Sequence, residues 1–517
     1  MTAAAYGRSP TRSPEGNVMG NLAQILLDSA AKHGRRPALR MGDTVLTYDQ
    51  FADAAGRVAA GLEARGVRPG DRVGMLLPDT LSFPILYYGA LMAGAAVVPM
   101  NPLLKAREIH YHLRDSGARL VVAAQASAQA AAEAAGAIGI EAVTVDGVQP
   151  DALMAARATG APAARTDDDE AAILYTSGTT GAPKGAELTH GNLSGNARTT
   201  VQTLLEATPD DVIMGCLPLF HAFGLTCGLN AAVLSGASMT LLPRFDGAAT
   251  LSLLERDQAT IFEGVPTMFS RMLHAPNSGT VDVARLRLCV SGGAAMPVDV
   301  MRAFEQTFRC VVLEGYGLTE TSPVVTFNHP ASRRAGSIGI PIADVQVRLV
   351  DDHGKDVSDG EVGEITVRGP NVMKGYWRKP EETAEAIPDG WFHTGDLARQ
   401  DVDSYLYIFG RKKDMIIRGG ENVYPREIEE ALYEHPAVAE VACVGIPDPD
   451  LGEEVGAAVV LKPGAGADPD VLREWAKARV AAYKYPRHVW LADSLPHGPT
   501  GKILRREVQL PRGVGQR

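Results

Sequence analysis

No run of this chain approaches the ~18 consecutive apolar residues that a membrane span requires. Nor does any basic excess offer a broad face to nucleic acid. Fifty Lys and Arg stand against 61 Asp and Glu, a formal net charge of −11, where such a surface would have to be positive. Cysteine is scarce, five in 517 residues with no Cys-x-x-Cys spacing, so neither a disulfide framework nor a zinc site is indicated. The start of the chain carries Ser, Pro and Arg but no apolar signal core, and residues 1–20 read as a disordered tail on a cytoplasmic protein. What remains, 45% hydrophobic and 21% charged, is an ordinary globular composition. It is too long for a single core.

The first half alternates helical and strand patterns. Thr47-Tyr48-Asp49-Gln50 has the form of a capping box ahead of Phe51, Ala55, Val58 and Leu62 at helical spacing. Residues 72–77, 95–100 and 120–124 read as strands and 83–92 as a helix. The alanine-rich stretch 125–160 reads as helical. This alternation predicts α/β layers with largely parallel sheets. From about Val345 the pattern turns to short strands at 345–350, 364–367 and 405–409. Beyond the charged segment Gly410-Arg411-Lys412-Lys413-Asp414, Pro425 suits a helix first turn, 441–445 and 457–461 read as strands and 470–480 as a helix. The fold class expected is therefore α/β: a large N-terminal domain of layered sheets and helices, 21–412, with a small mobile α+β domain, 413–517.

The segment Tyr175-Thr176-Ser177-Gly178-Thr179-Thr180-Gly181-Ala182-Pro183-Lys184-Gly185 carries the most chemistry. It follows an apolar strand-like run and has few bulky side chains, so backbone N–H groups can approach a polyphosphate, with hydroxyl donors and one lysine charge beside them. Lys184 is followed by Gly185, so the spacing is not that of the NTPase P-loop.

Other segments are ambiguous alone. In Glu314-Gly315-Tyr316-Gly317-Leu318-Thr319-Glu320 the tyrosine can lie open against a flat base or fill a tight turn, and Glu320 offers a carboxylate to a hard cation. Asp396, in His393-Thr394-Gly395-Asp396, can accept from both hydroxyls of a ribose or cap a turn. Arg411 can reach the same sugar or stay a solvated charge. His221, in Pro218-Leu219-Phe220-His221-Ala222-Phe223-Gly224, is a hydrogen-bonded core residue or an orienter at an apolar pocket. Lys502, in Gly498-Pro499-Thr500-Gly501-Lys502, is a solvated tail lysine or a catalytic one. Cys227, near His221, reads as a small buried residue rather than a nucleophile.

Taken in order, the phosphate loop, the His221 segment, Ser291-Gly292-Gly293-Ala294, Tyr316 through Glu320, Thr394 through Asp396, Gly410 through Asp414 and Thr500 through Lys502 resemble the adenylate-forming superfamily, in its acyl-CoA synthetase and fatty-acid–CoA ligase branch. The resemblance covers nearly the whole chain. It implies ATP, Mg2+ and coenzyme A as cofactors, a small carboxylic acid as substrate, and no nucleic-acid partner.

By the same match, Lys502 bridges the substrate carboxylate and the α-phosphate. Thr176, Ser177, Gly178, Thr179, Thr180, Gly181 and Lys184 hold the outer phosphates, while Thr176 and Glu320 serve magnesium. Gly292, Gly293, Ala294, Glu314, Gly315, Tyr316, Gly317 and Thr319 frame the base and phosphates, and Asp396 and Arg411 hold the ribose. Lys413 is the hinge of the mobile domain, and Gly419, Gly420 and Glu421 form the pantetheine entrance. His221 is a gate or orienter at an acyl pocket lined by Ala222, Phe223, Gly224, Thr226, Val265, Pro266, Gly293, Met296, Pro323 and Val324. None of these is charged and Gly224 is small, which favours a medium- or long-chain fatty acid. A coumarate-type aryl acid is the alternative, and Arg333 and Arg334 keep a dicarboxylate open. A non-catalytic acyl-nucleotide binding protein would have lost a catalytic group, whereas Lys502, Lys184 and Glu320 are all present.

Overall fold

In a computed structural model the described residues are 20–146, 149–176, 183–498 and 501–511. Most of the expected tail and residues 177–182 of the phosphate loop lie outside them, as does Thr500. Among the described residues no helix is long and apolar enough to cross a membrane.

Two large sheets with flanking helices dominate. In the nine-stranded sheet six strands run parallel, in the spatial order Pro37–Met41, Ser238–Leu241, Val212–Gly215, Ile261–Gly264, Leu288–Ser291 and Val311–Gly317. Its edges are antiparallel, Thr44–Thr47 on one side and Val324–Phe327 with Ile340–Pro341 on the other. The seven-stranded sheet carries Glu170–Thr176 between Ala96–Pro99 and its hairpin partner Lys184–Thr189. Helix Ser82–Met92 is buried at every residue. Such a helix cannot be amphipathic, and its polar groups must find partners inside. Tyr88 OH accordingly donates to Asn230 Oδ1 at 2.9 Å, and nearby Tyr48 OH donates to Ala237 O at 2.6 Å.

The capping box forms as the sequence predicts: Gln50 N donates to Thr47 Oγ1 at 3.3 Å and Thr47 N to Gln50 Oε1 at 2.9 Å, starting helix Tyr48–Ala64. Such a cap is worth about 1 kcal/mol. The alanine-rich stretch departs from expectation. Its helix covers only Ala128–Gly136, and Glu141–Val145 is a strand on the edge of the seven-stranded sheet. Gly139, at φ +73°, ends the helical run, and the β-branched Val143, Thr144 and Val145 pair beside Leu120–Ala124.

A four-stranded antiparallel sheet follows: Gln346–Val350, Val362–Arg368, Phe392–Gln400 and Leu406–Arg411. After the turn Lys412–Asp414 the chain builds a fresh sheet around the long hairpin Val438–Asp448 and Gly452–Leu461. This last part has its own apolar cluster, including Ile416, Val423, Ile428, Leu432, Val455 and Leu472. Helix Pro425–Tyr433 begins with its proline, as anticipated, where the missing N–H costs nothing.

Candidate active site

In open parallel sheets a ligand crevice lies beyond the carboxyl ends of the strands. Here three such ends converge. Val265 follows Ile261–Gly264, Gly292 follows Leu288–Ser291, and Tyr316 and Gly317 end Val311–Gly317. Together with the end of Glu170–Thr176 and the strand Phe392–Gln400, they enclose a cavity of about 640 Å³. Its wall holds Thr176, Lys184, His221, Tyr316, Glu320 and Arg411, and also Lys502 from the far C-terminus. Gly501, beside that lysine, is docked onto the large body. Thr267 Oγ1 donates to Gly501 O at 3.0 Å.

The polar half of the cavity is pre-tied. Glu320 Oε1 accepts from Thr176 Oγ1 at 3.3 Å and from Tyr376 OH at 3.1 Å. Lys184 Nζ rests 5.0 Å from the Tyr376 ring centre, a cation–π contact that leaves its charge facing the cleft. Asp396 is 6% exposed and just outside the cavity wall. Its Oδ2 accepts from Tyr316 OH at 2.7 Å, and its Oδ1 lies 3.2 Å from Arg411 Nε. A carboxylate has about four lone-pair sites, so capacity for ribose hydroxyls remains. Burial, then Arg411, pushes the Lys502 pKa down to about 8 against the opposing pull of Asp396. His221 is held neutral by burial, its pKa lowered to about 4.

The other half is apolar. Ala222, Phe223, Gly224, Val265, Pro323 and Val324 all line it. So do Thr200, Leu204 and Leu205 of the widened π turn Thr200–Leu205, which faces a second π segment, Phe223–Asn230. Such wide turns recur at functional sites. Gly317 has no room for a side chain, since an added Cβ would stand 2.0 Å from Pro323 O.

Several sequence-based assignments are corrected by this geometry. Glu314 does not line the cavity; its Oε1 accepts from Met296 N at 3.0 Å, so it anchors the loop that carries Gly292 and Gly293. Ala294, Thr226, Pro266 and Met296 are likewise outside the wall. Gly224 does not open a channel: a Cβ there would point at Pro218 O, 2.6 Å away, so its small size accommodates the backbone. Arg333 pairs with Glu305, and Arg334 with Asp401 and Asp403, so neither is directed at the acyl pocket. Lys413, on the exposed turn Lys412–Asp414, and Gly419, Gly420 and Glu421, at the hairpin of Ile416–Arg418 and Glu421–Val423, also lie outside the cavity, but they are not among these corrections, because a hinge and a thiol entrance need not line it. Residues 177–182 are outside the described part. Sequence reasoning also missed Tyr376, Thr267 and Glu263. The last had a visible signal, a lone carboxyl within Ile261-Phe262-Glu263-Gly264-Val265.

Residues 26–377 match the family described as "AMP-binding enzyme", and 427–502 match the AMP-binding enzyme C-terminal domain. The chain belongs to the AMP-binding enzyme family. The long-chain-fatty-acid–CoA ligase of Bacillus subtilis (strain 168) is 36% identical over 94% of both chains. A feruloyl-CoA synthase of Amycolatopsis sp is 40% identical over 91% of this chain and 95% of its own. Among solved structures, ATP-bound MatB from Rhodopseudomonas palustris superimposes with a TM-score of 0.88 at 36% identity, covering 94% of this chain and 97% of that one. The AMP-binding enzyme described here is an acid–thiol ligase by this membership, with the mixed α/β architecture of its relatives.

Proposed function

We propose that the protein is an ATP-dependent acyl-CoA synthetase that converts a hydrophobic carboxylic acid first to an acyl-adenylate and then to its coenzyme A thioester, releasing pyrophosphate and AMP. The observation that carries this reading is Lys502 lining the same cavity as Lys184, Thr176, Glu320 and Arg411, next to an apolar pocket.

A carboxylate attacking the α-phosphate joins two anions, and catalysis rests on neutralising charge as it gathers. Lys502 bridges the attacking carboxylate and the α-phosphate oxygens, and Lys184 draws charge toward the departing pyrophosphate. Asp396 and Arg411 fix the ribose, and Tyr316 holds Asp396 in place. Thr176 and Glu320 supply the hard oxygen donors that suit Mg2+, which they would hold with the phosphates and which neutralises phosphate charge when bound. Neutral His221 orients the acyl carboxylate without adding charge. For the second half-reaction the body after residue 412 swings about Lys413, withdraws Lys502 and presents the Gly419-Gly420-Glu421 turn to the thiol.

For the acid, a medium- or long-chain fatty acyl group is supported by the uncharged lining of Ala222, Phe223, Val265 and Val324 and by the Bacillus relative. A compact aryl acid is favoured by Gly224, which faces backbone rather than a channel, and by the Amycolatopsis relative. Pyrophosphate release with acetate, octanoate, palmitate, 4-coumarate and malonate, with and without coenzyme A, tests the reading. Release with octanoate or 4-coumarate, and thioester only when CoA is added, is expected; no release with any acid contradicts it.

A further inference from the structure

The strand Ile261–Gly264 is apolar except for Glu263, which is 2% exposed. Its Oε1 has no hydrogen-bond partner among the described residues, a state that is costly for a buried polar atom. The carboxyl points toward the π segment Phe223–Asn230, since a Cβ added to Gly228 would come within 3.2 Å of Glu263 Oε2. The same glutamate lines the cavity together with Thr200, Leu204 and Cys227. An acidic side chain with an orphan oxygen, set at the apolar end of a ligand cavity, is a recognition group awaiting a polar partner.

Its depth limits what that partner can be. Val265, two residues on and still extended, packs against the docked lysine loop, where a Cβ on Gly501 would lie 3.2 Å from Val265 Cγ2. Alternate residues of a strand share a face, and a parallel strand rises about 3.3 Å per residue, so Glu263 sits about 6.6 Å deeper than Val265. That is roughly the reach of one aromatic ring with a short linker. We propose that Glu263 is the specificity-determining residue of the acyl pocket, exchanging hydrogen bonds with a hydroxyl at the far end of a compact aryl acid of the 4-hydroxyarylacrylate class. The proposal rests on the ligase reading above. Burial pushes the carboxyl up to about 8, so at neutral pH it carries a proton and offers both an O–H donor and a carbonyl acceptor, the complement of a hydroxyl. A rigid ring delivers that hydroxyl to a fixed depth, which a flexible chain does not.

The test compares kcat/KM for pyrophosphate release with 4-hydroxycinnamate, with 4-methylcinnamate, in which a methyl replaces the hydroxyl, and with octanoate, using wild type, Glu263→Leu and Glu263→Gln. The wild type should prefer the hydroxyl acid over its methyl isostere by about 10- to 100-fold. Glu263→Leu should abolish or invert that ratio, and Glu263→Gln, neutral with a donor and an acceptor, should keep most of it. A wild-type ratio near one overturns the proposal, as does a Leu variant that retains the preference or slows both aryl acids alike. Should Glu263→Leu fail to fold, the wild-type ratio and its retention in Glu263→Gln decide. Activation of octanoate without either aryl acid refutes this proposal and leaves the ligase reading standing; release with no acid refutes the ligase reading itself.

Discussion

Single side chains here are tuned by where the fold buries them. Lys502 is cationic below about 8 and neutral above it. In the proposed mechanism its charge is needed on the free enzyme, so kcat/KM for adenylation should fall as pH rises through about 8, whereas the residual activity of Lys502→Arg should not show that limb. A pH profile of pyrophosphate release checks this. Buried carboxyls shape stability in the same way. Glu263 titrates near 4.5 when exposed and near 8 in the fold, and Asp79 and Glu314 are raised to about 7, all chiefly by burial. Below about 6.5 the buried His112, His190 and His221, each lowered to about 4, act in the opposite sense, whereas from about 6.5 to 8 the carboxyls leave the native state holding more protons than the unfolded chain, so stability should decline across that window. Thermal melts should show the decline, and Glu263→Gln, which cannot ionise, should make it shallower; an equally steep decline in that variant would assign the effect elsewhere.

At the scale of elements, the strand ends do the positioning and leave no slack. Replacing Gly317 by Ala sets a Cβ against Pro323 O and must displace the segment that carries Thr319 and Glu320. We expect a loss of about 1–3 kcal/mol in stability and a raised KM for ATP, measured by melting and by pyrophosphate release; an unchanged KM would detach Glu320 from nucleotide binding. Much of this was legible in the sequence. The Thr47 cap, the Pro425 helix start and the strands near 72, 96 and 120 follow from local chemistry that tertiary contacts did not override. The strand Glu141–Val145 did not, because alanine favours helix wherever sheet pairing is invisible. Glu314 and Gly224 were misjudged for a related reason: motif order showed that they belong near the site, but whether each faces ligand or backbone depends on neighbours distant in sequence, Met296 for one and Pro218 for the other.

Over the whole molecule, the cavity joins groups more than 300 residues apart in the chain, Thr176 and Lys184 from the large body and Lys502 from the small one. Sequence order alone located both sets, while their meeting in one cleft, and the Thr267–Gly501 contact that docks them, are properties of the assembled fold. The two chemical steps of the proposed reaction then call for two arrangements. A proline at Lys413 stiffens the turn between the bodies, so Lys413→Pro should slow thioester formation far more than adenylation in single-turnover assays; equal slowing would remove the hinge role. The central claim is that the C-terminal lysine serves the first step only. Lys502→Ala, assayed for ATP–pyrophosphate exchange and separately for thioester formation from supplied acyl-adenylate and CoA, isolates it. The account predicts exchange reduced by about 10²–10⁴ with the thioester step within a few-fold of wild type; equal loss in both half-reactions, or none in the first, would contradict it.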